Sequence, residues 1–323
     1  MDTMGLHSIF QGWSAVLRGQ EDEVPILIGF NHDPLAGLSE TKPSQPYIFA
    51  EKLLLGVSWL IFAFHYLFEL FWYRKEEERV IFLPAHYLQR MRDTAMGELA
   101  LQNTGDKKPF VSESDVLFAW WTRIVLRALE PAPSRTIMIR NVFDCRSILA
   151  ELGHIPSAGA ALITNAFFAT LTFLSTRQIL EEPLSFVASG IRKSLDQQRN
   201  MEQLQANVAI QKATLDNAGH PALFGDSGML MIVCSNWCKS RLFQADFSAA
   251  VLSSGIPLSQ RANQLGRSSY VNVTGTKTYA TRNTGVVIGK DAADNWWLLY
   301  TLRAERWASV EQQLRSMSEK DVN

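Results

Sequence analysis

Cysteine is scarce in this chain: three in 323 residues, at 145, 234 and 238. That excludes a disulfide framework, and with no histidine or cysteine cluster beside Cys234 and Cys238 it argues against a zinc site, so the expectation is reduced thiols and no bound metal. An excess of charge of either sign is missing too. Lys and Arg number 31 against 32 Asp and Glu, a formal net charge of -1, which gives no electrostatic pull toward nucleic acid. Residues 1–20 carry Asp2 early and no basic run ahead of an apolar stretch, so a secretory leader is not expected and the Asn272-Val273-Thr274 sequon is expected to stay unmodified. Repeats and low-complexity tracts are absent as well. By elimination the partner is a small or apolar molecule and the setting cytoplasmic.

What is present is apolar material, 47% of residues, enough for one large domain or two modest ones. Met4, Leu6, Ile9, Phe10, Trp13, Val16 and Leu17 fall at helical spacing and Arg18-Gly19 ends that helix. Short strands are expected at 24–30, 80–83, 136–142, 229–234 and 286–288, and helices at 85–96, 184–195 and 307–314. Another helix follows Ser112, an N-cap ahead of the wide apolar stripe from Val116 to Leu126. Strands interleaved with helices indicate a layered α/β domain on a mixed sheet. The stretch Leu53 to Trp72 admits two readings. It is long enough at helical rise to cross a bilayer, which would make the protein membrane-associated through 53–72; yet Ser58, His65 and Glu69 share one helical face, as in a helix packed on protein.

Several segments, in order, resemble one family. Asp2-Thr3-Met4-Gly5 with Gly12-Trp13-Ser14 resembles the end of a His-x-x-x-Asp-x-x-Gly signature and the helix after it. Phe143-Asp144-Cys145-Arg146-Ser147 resembles an Asp-x-Arg strand end, and Thr164-Asn165-Ala166 a Gly-Asn-Ala step. Ser235-Asn236-Trp237 is similar to Thr-Ser-Trp, and Ala245-Asp246-Phe247-Ser248 to an Asp-Phe-Gly-Trp-Gly loop whose glycine and second aromatic are replaced here. Gly289-Lys290-Asp291-Ala292-Ala293 and Trp296-Trp297-Leu298 complete the set. Together they resemble the BAHD-type CoA-dependent acyltransferases, above all the fungal secondary-metabolite branch of trichothecene O-acetyltransferase type. The resemblance implies a chloramphenicol-acetyltransferase-like fold, with residues 1–75 a remnant of the first domain and crossover and 76–323 the second domain. It implies acyl-CoA as co-substrate, a small alcohol or amine as acceptor, and an N-terminally truncated chain, because the signature histidine would stand four residues before Asp2. A truncated interface suggests self-association. Two other readings stay open, a non-catalytic binding remnant of the same fold and a membrane-associated tailoring protein.

Acyl transfer from a thioester needs a base for the incoming hydroxyl and donors for the oxyanion. On a strand, Ser235 and Trp237 point to one face, so a hydroxyl and an indole N–H can converge on one oxygen; the alternative is a buried aromatic beside a satisfied serine. Asp2 and Asp246 are expected to be structural carboxylates, Asp2 pairing with Arg146. His7, His32, His86, His154 and His220 have no Asp at the fourth position, and His65 with Glu69, one turn apart, reads as a structural pair. The segment Gly285 to Asp291 is too short in spacing for a phosphate loop and has Asp where Ser or Thr is needed, and the pairs Trp120-Trp121 and Trp296-Trp297 read as core or channel lining.

Overall fold

A computed structural model describes residues 1–31, 33–39, 42–103, 108–157, 159–253, 255–261, 264–272 and 282–319. His32 and the sequon at 272–274, apart from Asn272, lie outside the described residues. The centre is a six-stranded mixed sheet in the order β2-β8-β7-β6-β3-β5, made of β2 (Glu76–Leu83), β3 (Thr136–Asp144), β5 (Phe167–Ser175), β6 (Leu230–Asn236), β7 (Thr284–Lys290) and β8 (Trp296–Arg303). β6 pairs in parallel with β3 and with β7; the outer pairings are antiparallel. A separate two-stranded parallel pair joins β1 (Ile26–Ile28) to β4 (Ala160–Leu162).

Alternation along the strands divides the core. Ile137, Ile139, Ile232, Val287, Leu298 and Tyr300 face one side of the sheet and bury α4 (Glu113–Leu129) against it. This helix is apolar nearly all round because α3 (Ala85–Gln102), α7 (Leu184–Gln198) and α9 (Trp307–Glu319) cover its outer face. Ser112 caps it, accepting from the Asp115 amide at 3.3 Å while Asp115 accepts from the Ser112 amide at 2.7 Å. Trp121 packs its ring on Tyr300 at 4.7 Å, which places that tryptophan in the core.

Residues one step along the same strands face the other side. Met138 and Met231 meet Tyr47, Leu54 and helix α2 (Gly56–Trp72), whereas Val286, Ile288 and Leu299 meet α1 (Thr3–Leu17) and Trp237. α8 (Met201–Ala218) sends Leu204 to a smaller cluster with α5 (Arg146–Glu151), and α6 (Thr176–Glu181) links β5 to α7. Segments from both sides of position 75 thus pack on one sheet.

The spanning reading of Leu53–Trp72 is corrected. Among the described residues no helix is long and apolar enough to cross a membrane. α2 instead lays Trp59, Phe62 and Tyr66 on the sheet, and its Glu69 accepts from Arg135 at 3.0 Å and Arg303 at 2.8 Å. The His65–Glu69 pair is corrected with it: His65 is exposed, its Nδ1 lies 3.2 Å from the Ser227 carbonyl, and Glu69 is held by the two arginines.

Gly285, at the start of the discounted phosphate-loop segment, lies within β7 opposite Tyr300 of β8. A Cβ there would meet the Tyr300 ring at 1.6 Å, and that ring is fixed by its hydroxyl donating to the Asn283 carbonyl at 2.9 Å. Gly285→Ala is therefore expected to destabilise the fold by about 3 kcal/mol through overpacking. A fall in the urea midpoint at unchanged slope checks this; an unmoved midpoint would remove the steric argument.

Candidate active site

Three of the short motifs, distant in sequence, meet in one knot. Asp2 caps α1, its Oδ1 accepting from the Gly5 amide at 2.9 Å. Its two oxygens also take Arg146 in a bidentate pair at 2.9 and 3.0 Å, and Oδ2 accepts from the Ala166 amide at 2.8 Å. Arg146, the first residue of α5 just past β3, gives its remaining N–H groups to Asp144 at 2.6 Å and to the Leu162 and Thr164 carbonyls. Every guanidinium donor has an acceptor, the arrangement in which a mostly buried charge pair is worth most. Burial by itself pushes the Asp2 carboxyl up, but the Arg146 bonds and the Ala166 and Gly5 amides outweigh it, so Asp2 lies below the ordinary carboxylate range. Gly5 has a separate reason to be glycine: a Cβ would sit 2.5 Å from the Ile163 carbonyl oxygen.

The second half of α1 is clamped elsewhere. Ser14 Oγ donates to the Asp246 carbonyl, and Phe10 and Trp13 meet Phe247 edge-on at 5.7 and 5.3 Å. Asp246 itself pairs with Arg267 at 3.0 Å and accepts from the Ser248 amide at 2.9 Å. The Ser248 hydrogen bonds, with Arg267 nearby, lower its pKa. Where the loop that this segment resembles has glycine, this chain has Ser248, and the left-handed residue lies across from it at Gly266, φ +70°, where a Cβ would strike the Ser248 amide at 2.2 Å.

α1 separates two clefts. The larger, about 900 Å³, opens at the C-terminal ends of β3 and β6 and is mostly apolar. Met1 to Met4, the first residues of α4, Asn141 to Asp144, and Ser235 to Ser240 line it, with Arg192, Arg199, Lys239 and Lys290. Ser235 and Trp237 both reach this wall. Trp237 follows the end of β6, and its indole Nε1–H donates to Ser235 Oγ at 3.0 Å. The indole thus fills a lone pair of the serine oxygen and leaves the serine O–H free to turn toward another acceptor, whereas strand geometry alone had both groups directed at one oxygen. The turn that holds them is tied down by Asn236, which donates to Ser114 Oγ of α4 and accepts from the Cys238 amide at 2.8 Å. Cys238 lines the cleft too, but burial pushes its thiol up to about 12, so it is no nucleophile near neutral pH.

Around the cleft Arg192 is paired with Asp115 at 2.5 Å and Lys290 with Glu113 at 2.8 Å. Lys239 is exposed, and Arg199 lies over the Phe143 ring. The site thus offers an apolar body with cations available to an anionic end. Sequence reading named neither Arg199 nor Lys239; a lone cation in a helix or turn carries no pattern. No histidine among the described residues lines this cleft. His7 and Asp246 line the smaller one, about 450 Å³, on the other side of α1; burial and Arg241 lower the His7 pKa, against a hydrogen bond to the Ser240 backbone. His220 stacks on Trp59 at 4.2 Å and His154 lies against Gly37. Among the described residues no group of three or more His, Cys, Asp or Glu stands where it could hold a metal ion.

No protein-family profile matches the chain. It is 64% identical over 327 aligned residues to Acetyltransferase sphE of Aspergillus fumigatus, covering 99% of this chain and 64% of that protein. It is 40% identical to Acetyltransferase adrJ of Penicillium rubens, with 98% and 64% covered. A Penicillium decumbens relative, 38% identical with 97% and 63% covered, is named Transcriptional regulator calD. Among solved structures, TRI101 of F. sporotrichioides, complexed with coenzyme A and T-2, shares the fold with TM-score 0.66 at 17% identity, over 97% of this chain and 62% of that one. The chain therefore spans a little under two thirds of the length of these relatives.

The Asp2 knot makes a pH-dependent prediction. Because the folded pKa of Asp2 lies below its ordinary 3.8, its contribution is fully present above that value and is lost as pH falls through the folded pKa. Asp2→Asn is expected to cost about 3 kcal/mol near neutral pH, since Arg146 would keep Asp144 as its one carboxylate partner beside the Leu162 and Thr164 carbonyls. The gap between variant and wild type should narrow below about pH 4. Urea titrations across that range check it; a constant gap would mean the carboxylate charge is not what Arg146 responds to.

Proposed function

We propose that the chain, 64% identical along 99% of its length to an acetyltransferase, is a BAHD-type fungal acyltransferase, and that its larger cleft is the acyl-CoA site of an enzyme that transfers an acyl group, acetyl in the first instance, to a hydroxyl of a small secondary metabolite. The observation that carries the reading is the Trp237–Ser235 hydrogen bond on the cleft wall. An alcohol attacking a thioester carbonyl turns that carbonyl oxygen into an anion, and a serine O–H whose own oxygen already accepts from an indole is a polarised donor for it. The proton leaves the alcohol for a general base; the tetrahedral intermediate collapses, the C–S bond breaks, and the thiolate takes a proton back. No acyl-enzyme is required, in keeping with the neutral Cys238 thiol.

In the family motif the base is a histidine four residues before Asp2, a position outside the 323 residues. Asp2 fixes the start of α1 at the cleft, and so fixes where a segment joined ahead of it would enter. In this reading residues 1–75 derive from the first family domain and 76–323 form the second. The apolar lining suits a lipophilic acceptor and the pantetheine arm, and Arg199 and Lys239 suit the CoA phosphates. The names of the acetyltransferase relatives, and the coenzyme A and T-2 held in the TRI101 complex, support the same substrate classes. The absence of a histidine from the described lining of the cleft favours a second reading for the 323 residues alone, a ligand-binding wall without turnover.

Both readings are tested by thiol release from acetyl-CoA with lipophilic alcohols. The 323 residues alone are expected to release none, and a chain with His-x-x-x joined ahead of Asp2 within a full-length relative's first domain is expected to turn over. In that longer chain Ser235→Ala should lower kcat about 100-fold and Trp237→Phe, acting through the serine, about 10-fold. Full activity in both variants would remove the oxyanion role.

A further inference from the structure

Among the basic residues in the strands of the six-stranded sheet, Arg79 pairs with Glu77 and Glu311, Lys290 with Glu113, and Arg303 with Glu69. Arg140, in the middle of β3, makes no hydrogen bond or ion pair with any described residue. β3 has a neighbouring strand on each side, so this is a cation in the interior of a sheet, where a charge is costly unless paired. Its side chain reaches solvent, yet burial lowers its pKa, against the weaker influence of Tyr47. Together these place the guanidinium at the bottom of a groove, in contact with water but hemmed in by protein.

Alternation puts Arg140 on the face of the sheet that carries Met138 and Val142. Across the strands it stands between Leu171 of β5 and Val233 of β6, and Val233 has Thr284 of β7 on its other side. Met138 and Leu171 belong to the cluster around Tyr47 and Phe224, whereas Val142, Val233, Ser235 and Thr284 line the larger cleft. Arg140 therefore marks the place where the floor of the cleft meets that aromatic cluster. Ser235 lies beside Val142, one pleat further along, which sets the Arg140 and Ser235 backbones about 8 Å apart on one face. The next carboxylate on that face of β3, Asp144, is already held by Arg146.

We propose that Arg140 selects the acceptor, pairing with a carboxylate carried on the order of 8 Å from the hydroxyl that attacks at Ser235. The assignment rests on the reading of the larger cleft as an acyltransferase site. A planar guanidinium takes a carboxylate through two parallel N–H···O bonds, and the apolar residues between the two points suit a hydrocarbon skeleton. A CoA phosphate fits less well. Arg199, one of the cations matched to those phosphates, lies over Phe143, which alternates to the opposite face of β3. The two substrates would then approach Ser235 from the two sides of the sheet.

Equilibrium dialysis of radiolabelled 8-hydroxyoctanoate and its methyl ester tests the pairing without turnover, and so apart from the chemistry proposed above. Both the 323 residues and the chain extended by a relative's first domain are expected to bind the acid about 10- to 100-fold more tightly than the ester, the range of a hydrogen-bonded charge pair. Arg140→Gln should bring that ratio close to one; Arg140→Lys, which keeps the charge but not the fork, should retain part of it. Neither variant loses a native bond, so both should keep the wild-type urea midpoint. In the extended chain Ser235→Ala should slow turnover of both acceptors and leave their ratio alone, so that loss of catalysis and loss of selectivity are read separately. Equal binding of acid and ester, no binding of the acid by either protein, or a preference that survives Arg140→Gln would each overturn the assignment. So would a preference shown by the 323 residues and abolished in the extended chain, because Arg140 would then be neutralised by a carboxylate of the first domain.

Discussion

Everything that locates the larger cleft depends on one buried ion pair. Asp2 and Arg146 join the start of α1 to the start of α5, just beyond β3, and the same guanidinium gathers Asp144 and the carbonyls of Leu162 and Thr164. A charge pair this little exposed is stable only if each lone pair and N–H finds a partner, and that condition leaves one position for the α1 N-terminus. The constraint then passes along the helix. With Asp2 fixed, Gly5 slides against the Ile163 carbonyl and Ser14 reaches the Asp246 loop. α1 becomes the partition between two clefts, with the serine–indole pair on one side and His7 on the other.

The sheet supplies the opposing wall. Parallel β3 and β6 end level with each other, Val142 beside Ser235, and open sheets of this kind place ligands beyond the carboxyl ends of their strands. α4 begins at the same edge, and Asn236 bonds to its Ser114, so the turn carrying Trp237 is tied to the most buried helix of the fold. Such rigid support suits the oxyanion role proposed for Ser235, because a donor that must reorient during the reaction loses most of its value. Charge at the opening is largely neutralised in pairs, leaving an apolar interior.

Much of this was legible in the sequence, and the failures have physical causes. Strands and helices with strong apolar periodicity emerged near their observed bounds: 136–142 within Thr136–Asp144, 184–195 within Leu184–Gln198, and a helix after Ser112. β2 begins four residues earlier than its apolar pattern, at Glu76, because Glu76 pairs with Arg282 and Glu77 with Arg79; edge-strand charges look like a solvated run until their partners are known. β8 lay hidden in a tryptophan pair whose rings go to opposite faces, Trp296 to the α4 side and Trp297 to the other. The length of the 53–72 stretch suggested a bilayer, but inward-facing Glu69 needed two arginines remote in sequence to explain it. The short motifs were recognisable one by one, and their convergence at Arg146 and Ala166 was not, since it depends on contacts spanning more than 140 residues. Likewise Ser235 and Trp237 were placed on one face, but that the indole binds the serine depended on the chain leaving β6 at Trp237.

The central claim is that the Ser235 hydroxyl, set by the Trp237 indole, donates to a thioester carbonyl in the larger cleft. Infrared difference spectroscopy of acetyl-CoA labelled with carbon-13 at the carbonyl, bound to the chain, reads that hydrogen bond without requiring turnover. A carbonyl stretch displaced to lower frequency in the wild type and returned toward its value in water by Ser235→Ala is the predicted result. Bound ligand with the same frequency in both proteins would contradict it.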